Sequence, residues 1–409
     1  MLRKIRIAAA AFFFVLTTLL FLDFTGTLHA WFGWMAKIQF LPALLALNVG
    51  VVAFLVILTL LFGRVYCSVI CPLGVMQDIV SWASGKRRKH RNRFAYSPAL
   101  TWLRRGMLVV FVAAMLAGVG SLLAPYSAYG RIASNLLAPV YAWGNNLLAY
   151  IAGRMDSYAF YSVDVWMKSL STLLVAVVTF AVLFVLAWRS GRTYCNTICP
   201  VGTVLGFLAR YSLFKPRFDT SKCNGCKLCA RNCKASCIDP AAHKIDYSRC
   251  VACMDCLENC RQGAITYTLR RRKPDPAPAP QRPAADAAKT PSDASRRRFL
   301  GLAGIVAYSA LRAQEKKVDG GLAVIVDKKI PNRATPVVPP GAQSLRLFNA
   351  HCTGCQLCVS VCPNQVLRPS GKLMTLMQPE MSFERGYCRP ECTKCAEVCP
   401  TGAPRVPSA

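Results

Sequence analysis

Four long apolar runs dominate the first half of the chain: Ile7–Leu22, Leu41–Phe62, Gly106–Ala124 and Leu170–Trp188. The second is interrupted mainly by Pro42, Asn48 and Gly50. A helix crossing the hydrocarbon core of a bilayer takes roughly 20 apolar residues, and all four runs approach that length. The pattern predicts four membrane-spanning helices. Core helices of a soluble protein are the alternative, which the basic residues at the ends of the runs disfavour.

The polar positions between the runs predict an orientation. Arg3, Lys4 and Arg6 precede the first run, residues 86–105 are rich in Lys and Arg without an acid, and Arg189, Arg192, Arg210, Lys215 and Arg217 follow the fourth. The 24–40 and 125–167 loops carry little net charge. By the positive-inside tendency the N-terminus, the 64–105 loop and the chain just after residue 188 face the cytoplasm. That places the protein in the inner membrane as a multi-pass chain. It also accounts for much of the net charge of +31, through contact with anionic lipid, and leaves no call for nucleic acid as a partner. The 125–167 loop, rich in Tyr, Trp, Leu and Ala, is expected to lie along the membrane surface, to re-enter it, or to pack as an ordinary external loop.

The second half is patterned by cysteine instead. Of 21 cysteines, eight fall in two C-x2-C-x2-C-x3-C runs: Cys223, Cys226, Cys229 and Cys233, then Cys250, Cys253, Cys256 and Cys260. This is the spacing of bacterial two-cluster ferredoxins, in which three close cysteines wrap one [4Fe–4S] cube and the fourth reaches the other. Crossed ligation then groups Cys223, Cys226, Cys229 and Cys260 as one set, and Cys250, Cys253, Cys256 and Cys233 as the second. Cys237 is an additional thiol that competes with Cys233 for the fourth place. Zinc also binds paired C-x2-C motifs, but the duplicated ferredoxin register disfavours it.

A Pro- and Ala-rich stretch, 273–294, reads as an extended linker. Ser295–Leu311, SRRRFLGLAGIVAYSAL, follows it. Its twin arginines and short apolar run are similar to a twin-arginine export signal, a fortuitous basic cluster before a short helix being the alternative. Beyond it, Cys352, Cys355, Cys358 and Cys362, then Cys388, Cys392, Cys395 and Cys399, repeat the ferredoxin spacing with one extra residue in the last run's first gap. Crossed ligation groups Cys352, Cys355, Cys358 and Cys399, and separately Cys388, Cys392, Cys395 and Cys362. The cofactors expected are therefore four [4Fe–4S] clusters. Two ferredoxins on opposite membrane faces would be separated by a hydrocarbon core of roughly 30 Å. Electron passage then needs another subunit, a further cofactor, or a C-terminal domain that stays in the cytoplasm.

Four cysteines remain. GRVYCSVICPLG begins at Gly63 and a near copy, GRTYCNTICPVG, at Gly191. Cys67 and Cys71, like Cys195 and Cys199, stand four apart, a spacing that shares one helix face. The proline after each second cysteine disfavours continuing that helix and suits the first position of a new one. Each motif is expected to close a span, present two thiols and turn the chain. Three outcomes are open: a further redox centre, a redox-active dithiol, or packing at a helix crossing. Arg64 and Arg192 favour thiolates.

With four spans, two CxxxCP motifs and a cytoplasmic double-cluster ferredoxin, residues 1–272 resemble the NapH-type membrane ferredoxins and the membrane domain of NosR-type regulators. The segment from Ser295 onward resembles the exported NapG-type ferredoxins. The resemblance implies a fold: an α-helical membrane bundle over 1–216, a two-cluster α+β ferredoxin over 217–272, the linker, a twin-arginine-like segment or short anchor over 295–313, and a second two-cluster ferredoxin over 314–409. It implies a route from the quinol pool through the clusters to a periplasmic reductase of the nitrate-reductase type, with a C-terminal domain in the periplasm. NosR-like or cytochrome-oxidase-accessory proteins imply a different role, maturing a client by reducing its metal or thiol. Quinol oxidation needs a proton acceptor. Asp23, His29, Asp156 and Asp164 lie on the expected external side, each readable as an ordinary loop or helix-end residue.

Overall fold

The computed structural model describes residues 1–87, 93–116, 123–157, 160–165, 167–269, 335–372, 375–384 and 386–406. The linker and the twin-arginine-like stretch lie outside these. Residues Met1–Arg270 and Asn332–Ala409 form one compact unit.

Two described helices, each of 21 residues, are long and apolar enough to cross a membrane: α1, Leu2–Leu22, and α11, Leu170–Ser190. The four-span expectation is met only in part. The Leu41–Phe62 run is split into α4, Phe40–Leu45, and α5, Val49–Phe62. The break is local chemistry: Leu47 takes a left-handed backbone (φ 52°), and the Asn48 side chain accepts from Val51 N–H to start a new helix. Between α1 and α4 lie the short helices α2, Thr27–Phe32, and α3, Trp34–Lys37. The third run supplies α8, Thr101–Leu116, of 16 residues; part of the run beyond it lies outside the described residues.

Each CxxxCP motif breaks the chain into two short pieces. The first forms α6, Val65–Val69, and α7, Pro72–Gly85. The second forms α12, Thr193–Thr197, and α13, Pro200–Ala209. Proline starts α7 and α13, as expected. The shared helix face is corrected: Cys67 and Cys195 lie within a short helix, whereas Cys71 and Cys199 are extended N-cap residues of the next one. The proline causes this, because it drives the preceding residue out of helical backbone.

The 125–167 segment is not an ordinary surface loop. Its first helix, α9, Pro125–Ile132, is buried at every position and packs against α7 and α11. A π-helical turn, Ala133–Leu137, links it to α10, Ala138–Arg154.

The segment expected to form the first ferredoxin is framed by a strand pair whose first strand starts before residue 217. Strand β1, Phe214–Phe218, pairs antiparallel with β4, Ile265–Leu269, Phe214 opposite Leu269. Between them lie α14, Leu228–Arg231, the β2–β3 hairpin (Ile238–Asp239 with Lys244–Ile245) and α15, Asp255–Asn259. In the C-terminal ferredoxin β5, Leu367–Pro369, pairs with β6, Pro379–Met381. Short helices cover Leu345–His351, Leu357–Ser360 and Lys394–Glu397.

The two ferredoxins pack at opposite ends of α1 and α11. At the start of α1, Arg3 Nε pairs with Asp255 Oδ1 of the first (2.8 Å). Just past its end, Lys394 Nζ of the second donates to Thr25 O (3.1 Å). Before α11, Lys168 Nζ donates to Val359 O (3.3 Å), and after it Arg192 N–H donates to Lys234 O (2.9 Å). Twenty-one helical residues extend about 30 Å. Asn48→Ala should lower stability by about 1 kcal/mol, seen as an earlier thermal transition in detergent, while Asn48→Asp retains the cap and most of the stability.

Candidate metal centres

The four motif cysteines, far apart in sequence, are brought together. Gly63 (φ 76°) and Gly191 (φ 66°) end α5 and α11 in backbone that favours glycine, and turn each motif inward. Cys67, Cys71, Cys195 and Cys199 are all buried, and each lies within electrostatic reach of the others. Burial pushes the Cys71 thiol up to about 12, with Cys195 and Cys67 adding to the shift. Burial likewise raises Cys195, and raises Cys199 well above the usual thiol range. Ionising all four thiols at this site would therefore call for positive charge in their midst, of the kind a bound metal centre supplies.

The frame around them is a reciprocal clasp. Arg64 Nη2 donates to Cys195 O (3.2 Å), and Arg192 Nη1 donates to Cys67 O (2.6 Å). Both arginines are wholly buried. Each passes over a glycine of the other repeat. A Cβ on Gly74 would lie 2.3 Å from Cys67 O and 2.8 Å from Arg192 Nη1; one on Gly202 would lie 2.2 Å from Cys195 O and 2.8 Å from Arg64 Nη2. The glycine that closes each motif is thus required by the crossing.

Donors also face the sulfurs. Gln77 Nε2 lies 3.3 Å from Cys195 Sγ, Gly202 N–H donates to Cys199 Sγ (3.4 Å), and Arg64 Nη2 is 3.7 Å from Cys67 Sγ. Asp78 balances the charge below. It receives Arg192 Nε (2.9 Å) and Arg6 Nη1 (2.9 Å), with Lys234 Nζ at 3.7 Å. Burial alone would raise its carboxyl, but Arg192, Lys234 and Arg6 hold it well below the usual carboxylate range. The sequence singles out Arg64 and Arg192 but not Gln77 or Asp78, which stand one helical turn beyond the motif with no spacing of their own.

The ferredoxin cysteines gather in the crossed sets. Cys223, Cys226, Cys229 and Cys260 line one pocket of about 410 Å³. Cys233, Cys250, Cys253 and Cys256 line another of about 410 Å³, joined by Cys237, whose Sγ is 3.5 Å from that of Cys233. Cys362, Cys388, Cys392 and Cys395 line a third of about 430 Å³. Cys352, Cys355 and Cys358 lie within electrostatic reach of Cys399. Among the described residues no group of three or more Cys, His, Asp or Glu is placed so that it could hold a metal ion.

The cysteine groups of the two halves border one core. Cys253 packs on the same core as Cys67, Cys195 and Cys199, and Cys355 and Cys358 join that core with the C-terminal ferredoxin. Arg64 reaches both Cys67 Sγ and Ser248 O beside the Cys250 set, and Arg104 Nη1 holds Ser248 Oγ (3.0 Å). Helix α9 fills the space toward the C-terminal ferredoxin. Buried Arg131 lies within electrostatic reach of Tyr194 and Cys355, and Tyr126 within reach of Cys355 and Cys399. A Cβ on Gly130 would be 2.5 Å from Cys355 O.

Of the four acidic and histidine candidates, Asp23 is buried and structural: it accepts from Thr25, Gly26 and Leu28 N–H, and from His29 Nδ1 at 3.2 Å. Asp156 stands exposed beyond α10. Asp164 lines a large open cavity, taken up below.

Comparison with known proteins agrees with this chemistry. A 4Fe-4S binding domain family matches residues 44–90 and 172–221, the two CxxxCP repeats, and a 4Fe-4S dicluster domain family matches 351–403. An uncharacterised protein of Methanocaldococcus jannaschii is 25% identical over 52% of this chain and 68% of its own length. The methylamine utilization ferredoxin-type protein MauN of Paracoccus denitrificans is 28% identical over 42% of this chain and 48% of its own. The ferredoxin-type protein NapH of Escherichia coli is 29% identical over 47% of this chain and 55% of its own. The chain thus spans about half the length of MauN and NapH. No solved structure matches. The matched domains are iron–sulfur binding domains, and the chain is similar to the ferredoxin-type proteins NapH and MauN.

Gly74→Ala should disrupt the crossing, costing roughly 1–3 kcal/mol as an overpacked core does and loosening the four-thiol site. A lower unfolding temperature and lost iron are the measurements. Gly144→Ala, where an added Cβ meets nothing within 4 Å, should change neither.

Proposed function

We propose that this is a membrane-bound iron–sulfur protein that takes electrons from the quinol pool and conducts them to a redox partner protein. A reductase of the nitrate-reductase type is the acceptor that the likeness to NapH implies. In this reading the Cys223, Cys250, Cys352 and Cys388 sets, crossed as above, hold four [4Fe–4S] clusters. Cys67, Cys71, Cys195 and Cys199 hold a fifth iron–sulfur centre between the two ferredoxins. Bound clusters supply one-electron redox chemistry. The chain supplies thiolates in fixed positions, N–H donors to sulfur, buried cations that favour the reduced charge, and a core closed to water.

The observation that carries this reading is the convergence of the four motif thiols between the ferredoxins, with Cys253 packed on one side and α9 leading to Cys355 on the other. A relay there divides a separation of roughly 30 Å into shorter steps, the difficulty that two ferredoxins alone leave open. Membrane placement is supported by α1 and α11, each with only 22% of its most apolar window buried. A soluble core helix would be mostly covered, so lipid is the natural cover here. The packing of the ferredoxins at opposite ends of α1 supports a cytoplasmic first ferredoxin and a periplasmic second one.

Full-length protein loaded anaerobically should carry about 20 iron atoms per chain, as five [4Fe–4S] clusters require. The double substitution Cys71→Ser, Cys199→Ser should lower this to about 16. A wild-type value near 16 that the substitution leaves unchanged would refute the fifth centre. Topology reporters fused at Ala279 and Ala409 should give opposite-side signals; same-side signals would place both ferredoxins on one face.

A further inference from the structure

We infer that the large cavity beneath the C-terminal ferredoxin is the binding site for a membrane quinol headgroup, which rests on the electron-transfer function proposed above. The cavity has a volume of about 650 Å³, within the ~300–1,000 Å³ of an ordinary ligand pocket. It lies between the end of α1, the π-helical turn, the first half of α10, residues 161–165 and 167–168, and the Leu357–Ser360 helix. Its occupant must be lipid-soluble, flat, hydrogen-bonding at its ends and redox-active, and each requirement comes from a different wall.

The mouth is aromatic. Phe24 meets Tyr161 edge-on (5.7 Å between ring centres) and Tyr141 at 6.3 Å, and Trp143 is 64% exposed beside them. Exposed apolar rings at the end of a membrane-length helix suit the interface of a bilayer and give a ring-shaped ligand faces to stack on. The interior is polar at few points. Ser134 is 6% exposed, and its Oγ has no hydrogen-bond partner among the described residues. It stands on the π-helical turn, a distortion frequent at functional sites. A buried hydroxyl left unpaired costs free energy, and a quinone oxygen satisfies it. Asn135, held by Nδ2 to Gln356 Oε1 (2.9 Å), and the Asp164 carboxylate add polar positions along the wall.

The floor is what makes the ligand redox-active. Cys362 and Pro363 line this cavity and also line the 430 Å³ pocket of the Cys388, Cys392 and Cys395 set. A headgroup seated here is one side chain from the fourth centre. Quinol oxidation to quinone yields two electrons and two protons. A cluster held by the Cys362 set would take the electrons one at a time, and the two protons would pass to water at the open mouth.

The test uses full-length protein in lipid nanodiscs and a photoreactive azido-quinone. Labelling should map to peptides covering 134–143 or 161–168 and be suppressed by decylubiquinone, not by flavin mononucleotide. Ala142→Trp, which fills the cavity, should reduce labelling tenfold or more at unchanged iron content. Ser134→Ala should weaken it about fivefold and serves if the larger substitution fails to fold. Labelling confined to other segments, full labelling in both variants, or protection by flavin instead of quinone would overturn the site. Iron content is read on the same samples. Absence of iron from wild-type protein would refute the cluster assignment independently of where the quinone labels.

Discussion

The structure hangs on the crossing of two guanidinium groups. Arg64 and Arg192 each leave their own repeat to bind the carbonyl of the other's first cysteine, in a site neither can share with water. A buried arginine that loses its partners is costly, several kcal/mol in comparable cases. The two repeats are therefore locked to one another, and the thiols they carry are locked into one cluster. The glycines, the short helices and the prolines follow from that geometry: the glycines give room for the crossing, and the prolines turn the chain so that the second cysteine of each pair takes the N-cap position of a helix.

The same residues tie the membrane half to the first ferredoxin. Arg64 reaches Ser248 O, Arg192 N–H reaches Lys234 O, and Lys234 pairs with both Asp78 and Asp255. Positioning one set of thiols and docking the neighbouring set are a single network. A change at Asp78 is then felt at two centres, and effects of substitutions there should be non-additive with those at Lys234.

Much of the candidate site was legible in the sequence because ligand spacing is local. C-x2-C-x2-C depends on the reach of one loop, so the three-cysteine arms of each set were readable, and the crossed fourth member followed from the ferredoxin register. The CxxxCP motifs were readable as turns, since proline acts on its neighbours alone. What the sequence did not disclose was non-local. Helix α9 has no apolar run to mark it: PYSAYGRI is small and polar enough to pass for an exposed loop, and its burial follows only from the elements that close over it. The π-helical turn and the cavity it lines have no signature either. The Leu41–Phe62 run misled by composition, because the cap formed by Asn48 breaks a segment that hydropathy alone would count as continuous.

The two repeats agree through their closing glycine and then part. Where the first has Asp78, the second has Gly206, whose absent side chain leaves room for Ser248 O within 2.4 Å of where a Cβ would stand. One half of the pair grips by charge and the other yields by shape. Two identical halves would present two equivalent landing places, and a ferredoxin could settle on either. Here only one orientation matches both halves, so a nearly symmetric frame holds its small neighbour in a single pose, and the gap between the two has one fixed geometry.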